Sequence, residues 1–298
     1  MVSWQTLVLG TIIFTAIGSI IHKKTLFKEH AMEFSAVFTI FMAIISLFLW
    51  PYTNFDFPAH YWWLMLFLIV LSSIAFLYVS KATRHMEISE SSPLFTFGPV
   101  ITAVLGFIFL EESLLPRQIF GILLMFAGSY ILELKSKKSI KKELLTPFKS
   151  IARSRYIRYI ILALILYAVT DIIGRYMLDT ENHTSIEPLT FLFILHIGIA
   201  ITMFIFISIF HDGIKGIYHG IKTSWAWIAL MVGILFISRL FLVYAITIPM
   251  AKIALVVALR RSSVIITTFL GGELFHEKHL MQKILAAVIM VIGILLLI

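Results

Sequence analysis

The sequence predicts an all-α membrane protein, with ten transmembrane helices arranged as two inverted five-helix repeats. Three observations carry this reading. The apolar content is beyond that of a water-soluble chain, ten hydrophobic runs are separated by polar or proline-containing breaks, and one motif recurs at the same place in each half. Hydrophobic residues fill 60% of the 298 positions and charged residues 13%, with a mean hydropathy of +0.99. A soluble domain carries roughly 45–50% apolar and about 25% charged residues, so the solvent for this surface must be lipid. At about 20 residues per crossing, ten crossings and short loops fit the length.

The expected spans are 2–21, 32–50, 61–80, 89–110, 117–134, 157–178, 187–210, 225–247, 249–271 and 279–298. The first lacks a basic leader and is followed by Lys23, Lys24 and Lys28, so it reads as a retained helix rather than a secretory signal. Tyr61, Trp62 and Trp63, Trp225 and Trp227, and Tyr156 and Tyr159 cluster at span ends, where aromatic belts sit at headgroup level. The break at Ile248–Pro249 is short, but proline suits the first turn of a new helix. Pro93 and Pro99 make the fourth span a kinked or interrupted one.

Positive charge sets the orientation. The chain has 24 Lys and Arg against 16 Asp and Glu, a formal charge of +8. The excess sits in loops, so it reads as a topology signal and not as a nucleic-acid surface. The odd-numbered loops hold eighteen of these residues and the even-numbered loops three: Arg117, Arg175 and Lys252. The positive-inside rule then puts the odd loops in the cytoplasm and both termini outside a cell membrane.

The most basic loop is also the joint between halves. Thr102, Gly106, Phe109 and Glu111 reappear 166 positions later as Thr268, Gly272, Phe275 and Glu277, and Arg117 falls on Lys283. This gives a first repeat over 1–134, a basic cytoplasmic linker over 135–156 and a second repeat over 157–298. Five crossings reverse the starting side of the chain, so the second half enters the membrane upside down. Many secondary transporters have this architecture, with substrate near the midplane between the halves.

No chemistry of catalysis is written in the chain. It lacks a nucleotide-binding glycine loop, HExxH and GxSxG, and the absence of cysteine removes disulfides and thiolate metal sites. No enzyme activity and no cofactor are expected. His276-Glu277-Lys278-His279 is too loose a grouping for a metal site.

What stands out is charge inside apolar spans. Arg260 and Arg261 fall at the centre of the ninth span, Arg239 in the outer half of the eighth, and Asp171 at comparable depth in the sixth. Each central arginine would cost about 3 kcal/mol facing lipid, so these groups must face the bundle or a water-filled cavity. Guanidinium groups suit bidentate capture of carboxylate or phosphate. The competing reading pairs Asp171 with Arg175 or Arg239 and leaves the arginines structural. Arg260 and Arg261 project about 100° apart on a helix, so they do not share one small pocket. His196, mid-span, is either a proton relay or a hydrogen-bonded core histidine, and Phe95 and Phe97 beside the prolines could line a cavity. Glu111, Glu112, Glu273 and Glu277 read as interfacial or gate-pairing groups.

Pro93-Leu94-Phe95 through Gly106-Phe107-Ile108-Phe109-Leu110-Glu111-Glu112, then Gly121 and Gly128, form one block. Ala254 through Gly272-Glu273-Leu274-Phe275-His276-Glu277-Lys278 to Gly293 forms the other. Together they resemble the drug/metabolite transporter superfamily, specifically its EamA-like ten-helix members. The resemblance implies a cofactor-free secondary carrier that exports or exchanges small metabolites. Arg260-Arg261 is similar to the paired basic residues with which plastid triose-phosphate translocators contact substrate phosphate, whereas amino-acid exporters of the EamA type are more apolar there. Met1 to Ile21 lacks the membrane-embedded glutamate of the small multidrug carriers.

The expectation is therefore a transporter working by alternating access on an anionic or zwitterionic metabolite. Its partners are that substrate and the bilayer, without nucleic acid, and the sequence leaves the oligomeric state open. The substrate would lie between spans three, four, eight and nine, with Arg260, Arg261, Arg239, Asp171, Phe95, Phe97 and His196 as its candidate contacts. Two alternatives stay open: an exporter of amino acids or other neutral metabolites with structural arginines, and a non-transporting membrane component.

Overall fold

A computed structural model describes residues 3–26, 30–85, 94–95, 97–133, 154–179, 185–266 and 280–297. Among these every regular element is a helix, with no strand. The second copy of the repeated motif (Thr268 to Glu277), Gly271, His276 to His279, Pro93 and most of the 135–156 linker lie outside the described residues, as does the side chain of Lys283.

Ten α-helices follow in order among the described residues: α1 Trp4–Leu26, α2 Ala31–Ser46, α3 His60–His85, α4 Gly98–Phe109, α5 Pro116–Glu133, α6 Arg155–Leu178, α7 Pro188–Phe210, α8 Ile214–Ile246, α9 Ile253–Arg261 and α10 Leu280–Leu297. Six of them (α1, α2 with its 3-10 continuation, α3, α6, α7 and α8) are long and apolar enough to cross a membrane by themselves. Proline sets several boundaries. Pro188 opens α7 and Pro99 sits in the first turn of α4, where a missing N–H costs nothing. Pro51 lies in the 3-10 turn Leu47–Tyr52 that closes α2.

Two helices differ from expectation. α8 starts at Ile214, eleven residues before the expected span at 225, and Ser224 breaks it with non-helical angles. The kink falls just before Trp225, so the polar segment 214–223 precedes the apolar crossing instead of joining it. α9 ends at Arg261 with a turn at Ser262, whose hydroxyl donates to the Leu259 carbonyl at 2.7 Å. Residues 263–266 are helical again, so the arginine pair sits just before a one-residue turn within the ninth span.

The helices pair across the chain. α1 packs on α8, α3 on α6, α2 on α7, α4 on α9 and α5 on α10, with further contacts of α2 on α8 and α3 on α7. Apolar side chains such as Phe48, Trp63, Phe107, Phe109 and Phe210 point outward and are exposed, as a lipid-facing surface requires. Inside, hydroxyls return to backbone or to one another: Ser73 Oγ donates to the Ile69 carbonyl at 2.8 Å, and Thr15 and Ser238 share a 2.8 Å bond from α1 to α8. Such internal satisfaction is what a water-free surround demands.

The connections fall into two groups by their contacts. On one side are the α1–α2 and α7–α8 connections and the facing ends of α3 and α6: His30 stacks on His211 at 4.3 Å and His85 on Tyr156 at 4.8 Å. On the other are the α2–α3, α4–α5, α6–α7 and α8–α9 connections: the Asn54 amide donates to Thr190 Oγ1 at 2.9 Å, and Lys252 Nζ donates to the Ser113 carbonyl. These are called the odd and even ends below.

α5 and α10 meet through glycine. A Cβ on Gly121 would come 2.9 Å from the Gly293 carbonyl oxygen, and one on Gly128 would come 2.8 Å from that of Ala286. These neighbours are backbone and cannot swing aside. Gly128→Val is expected to lower the thermal unfolding midpoint in detergent, by about 1–3 kcal/mol of overpacking. Gly233→Ala, with nothing within 4 Å, should be neutral or stabilise by up to about 1 kcal/mol. Equal effects of the two would show that the seam is not close-packed.

Candidate functional site

Asp171 lies seven residues before the even end of α6, Arg239 seven residues before that of α8, and Arg260 seven residues after that of α9. At 1.5 Å per residue, all three sit about 10 Å below the same end. His196, eight residues into α7, joins this layer. The four come from separate helices, so only tertiary packing makes them neighbours.

Asp171 is within electrostatic reach of Arg260 and Arg239, and Tyr167 of Arg239, Arg260 and Asp171. Tyr167 precedes Asp171 by one turn and shares its helix face. Asp171, Tyr167 and Arg260 are half-buried, whereas Arg239 is exposed.

Not every expected residue joins the layer. Arg261 turns away from Arg260, as the 100° helical step requires, and its guanidinium carbon lies 6.0 Å from the centre of the Phe95 ring. Phe97 packs edge-on against Phe126 at 4.8 Å and belongs with Leu94, Ile160 and Leu164 in a small apolar cluster. His196 is buried and shares a 2.7 Å hydrogen bond with Ser46 Oγ, which in turn donates to the Met42 carbonyl at 2.8 Å. A cavity of about 90 Å³ lies elsewhere, between α1, α2, α3 and α8, lined by Gly18, Ser19, His22, Phe34 and Phe38 among others. None of the expected site residues borders it.

Asp171 and Arg175 do not pair, contrary to one expectation from their i, i+4 spacing. Arg175 is buried and engaged at the even end. Its Nη1 donates to the carbonyls of Ile246 and Ile248 (3.3 Å for the latter), its Nη2 donates to that of Pro249 at 2.9 Å, and its Nε lies 3.6 Å from Glu112 Oε1. The Glu112 carboxylate also accepts the Ile253 N–H at 2.9 and 3.1 Å, capping the start of α9. Glu111, just before it, adopts a left-handed φ of 53° that turns the chain out of α4. Burial pushes the Glu112 carboxyl above the usual carboxylate range, while the Ile253 N–H and then Arg175 pull it back down.

The odd end carries its own polar contact. Glu33, at the first turn of α2, faces His211 Nε2 at 3.2 Å and His219 Nδ1 at 3.0 Å. Sequence reasoning missed Glu33, His211, His219 and Tyr167. Tyr167 could have been found from its one-turn spacing to Asp171. The others have no local sign, being brought together from up to 186 positions apart.

Residues 2–134 match the model of the EamA-like transporter family. The matched stretch is a little under half of the chain. With six helices among the described residues long and apolar enough to cross a membrane, the chain is a multi-pass membrane protein whose first part is similar to EamA-like transporters. A solved crystal structure, described only as that of a protein, shares the fold over 99% of this chain and 96% of its own, with a TM-score of 0.70. At 11% identity, that likeness speaks for the fold alone. No curated protein matches the sequence.

Proposed function

We propose that this EamA-type chain is a secondary transporter that moves a small anionic or zwitterionic metabolite by alternating access. The observation that carries the proposal is the layer of Asp171, Arg239 and Arg260, three charged groups at one depth in an apolar bundle. Two guanidinium groups beside one carboxylate leave a net positive site. That balance favours a ligand with at least one carboxylate or phosphate.

The architecture behind the proposal is ten crossings in two inverted halves, 1–134 and 157–298, joined by the linker 135–156. The helix pairs support it, because exchanging the halves carries α1–α8 onto α6–α3 and α2–α8 onto α7–α3, and maps α2–α7, α4–α9 and α5–α10 onto themselves. The family match also stops at residue 134. The positive-inside bias places the odd end in the cytoplasm and both termini outside a cell membrane. Arg175–Glu112 at the even end and Glu33–His211 at the odd end each join the two halves, as gates of an alternating-access carrier should.

Counterflow in proteoliposomes, screened with anionic and zwitterionic metabolites, tests the reading. The expected result is exchange of a phosphorylated or carboxylated compound. Movement of organic cations with no exchange of any anion would overturn the charge assignment. Exchange of neutral compounds alone would favour the exporter with structural arginines.

A further inference from the structure

The polar contact at the odd end has the makings of a metal site. Glu33 lies in the first turn of α2, while His211 and Asp212 begin the α7–α8 connection, and one donor atom from each lies within 4.8 Å of the others. Glu33 Oε1 and His211 Nε2 are 3.2 Å apart, and His211 Nε2 and Asp212 Oδ2 are 3.9 Å apart. In a tetrahedral zinc site with bonds of about 2.0–2.1 Å, neighbouring donors stand about 3.3 Å apart. The first pair already has that separation, and the second needs only a small turn of the exposed Asp212 side chain, whose relative exposure is 70%.

Glu33 is buried, with 10% side-chain exposure, and offers both oxygens. Oε1 faces His211, and Oε2 accepts from, or donates to, His219 Nδ1 at 3.0 Å. His219 therefore orients the carboxylate in the manner of an outer partner of a metal ligand. His30 stacks on the His211 ring at 4.3 Å and fixes its plane. Imidazole with carboxylate suits zinc and neighbouring first-row ions, and not magnesium or calcium, which take oxygen ligands.

We propose that Glu33, His211 and Asp212 form a binding site for Zn²⁺ or a similar transition-metal ion, with His219 as its outer positioning residue. Glu33 comes from the first half of the chain and His211, Asp212 and His219 from the second, so a bound ion ties the halves together at this end. Metal binding requires nothing of the transport reading. An effect of the ion on flux would rest on it.

Calorimetric titration of the purified full-length protein in detergent with Zn²⁺ alone tests this. One ion per chain is expected at micromolar or tighter affinity, with no heat from Mg²⁺. His211→Ala should remove the binding, Asp212→Asn should weaken it, and His219→Ala should weaken it by about ten- to a hundredfold. Asp212→Asn and His219→Ala change exposed side chains, so they keep the test open if His211→Ala does not fold. Absence of Zn²⁺ binding by the wild-type chain would overturn the proposal. So would binding that all three variants leave unchanged, which would place the ion on other histidines.

Discussion

Arg175→Ala is expected to cost about 3–5 kcal/mol of stability, the usual penalty for removing one member of a buried charged pair. In a chain of this size that corresponds to a drop on the order of 10 °C in the unfolding midpoint, readable by tryptophan fluorescence in detergent. The loss has two parts. The carbonyls of Ile246, Ile248 and Pro249 lose their donor where α8 gives way to α9. Glu112 loses its stronger cation and keeps the N–H groups of Ile253 and Ala254 and the weaker influence of Lys252.

The second part depends on pH. Glu112 already has a folded-state pKa above its unfolded value, so the stability it lends is fullest below the unfolded value and is lost as pH rises through the folded one. Removing Arg175 takes away a pull toward ionisation and moves the folded value higher still. The gap between Arg175→Ala and wild type should therefore be widest near pH 8 and narrow toward pH 5. Arg175→Lys, which cannot reach several carbonyls with one planar fork, should fall between the two. A gap below about 1 kcal/mol and flat with pH would mean that this junction does not hold the fold.

The second large effect is on transport. Truncating one partner of a desolvated charge contact costs about 2–5 kcal/mol, so Arg260→Ala is expected to reduce kcat/KM for an anionic substrate by about thirtyfold or more, with the protein still folded. Arg239→Ala should behave in the same way. Asp171→Asn removes a negative group within reach of both arginines and should shift preference toward substrates of higher negative charge. Uptake unaltered in Arg260→Ala and Arg239→Ala would make the arginines structural and favour the neutral-substrate alternative.

Hydropathy revealed the helices because lipid acts on every residue of a span alike, so a run of apolar residues suffices to locate it. Breaks inside a span are harder to read. Ser224 and Ser262 carry no strong local signal, yet one kinks α8 and the other is a turn between α9 and the helical residues 263–266. The common depth of Asp171, Arg239 and Arg260 could be counted from span ends, because helical rise converts sequence position into depth. The division of Arg260 from Arg261 followed from the same geometry. The destination of Arg175 could not be read. Its partners are mostly backbone carbonyls of a loop more than seventy positions away, and carbonyls leave no trace in a sequence. The nearer Asp171 looked a better mate only because i, i+4 spacing is visible and tertiary packing is not.

The seam between α5 and α10 bears on how such a molecule could move. With peptide groups of Gly121 and Gly293 in direct apposition, backbone meets backbone between the two rods, and sliding one along the other would press those peptide groups together. Tilting about the point of touch meets no such obstacle. This seam can therefore act as a fulcrum, and the helices farthest from it sweep the longest arc for a given tilt.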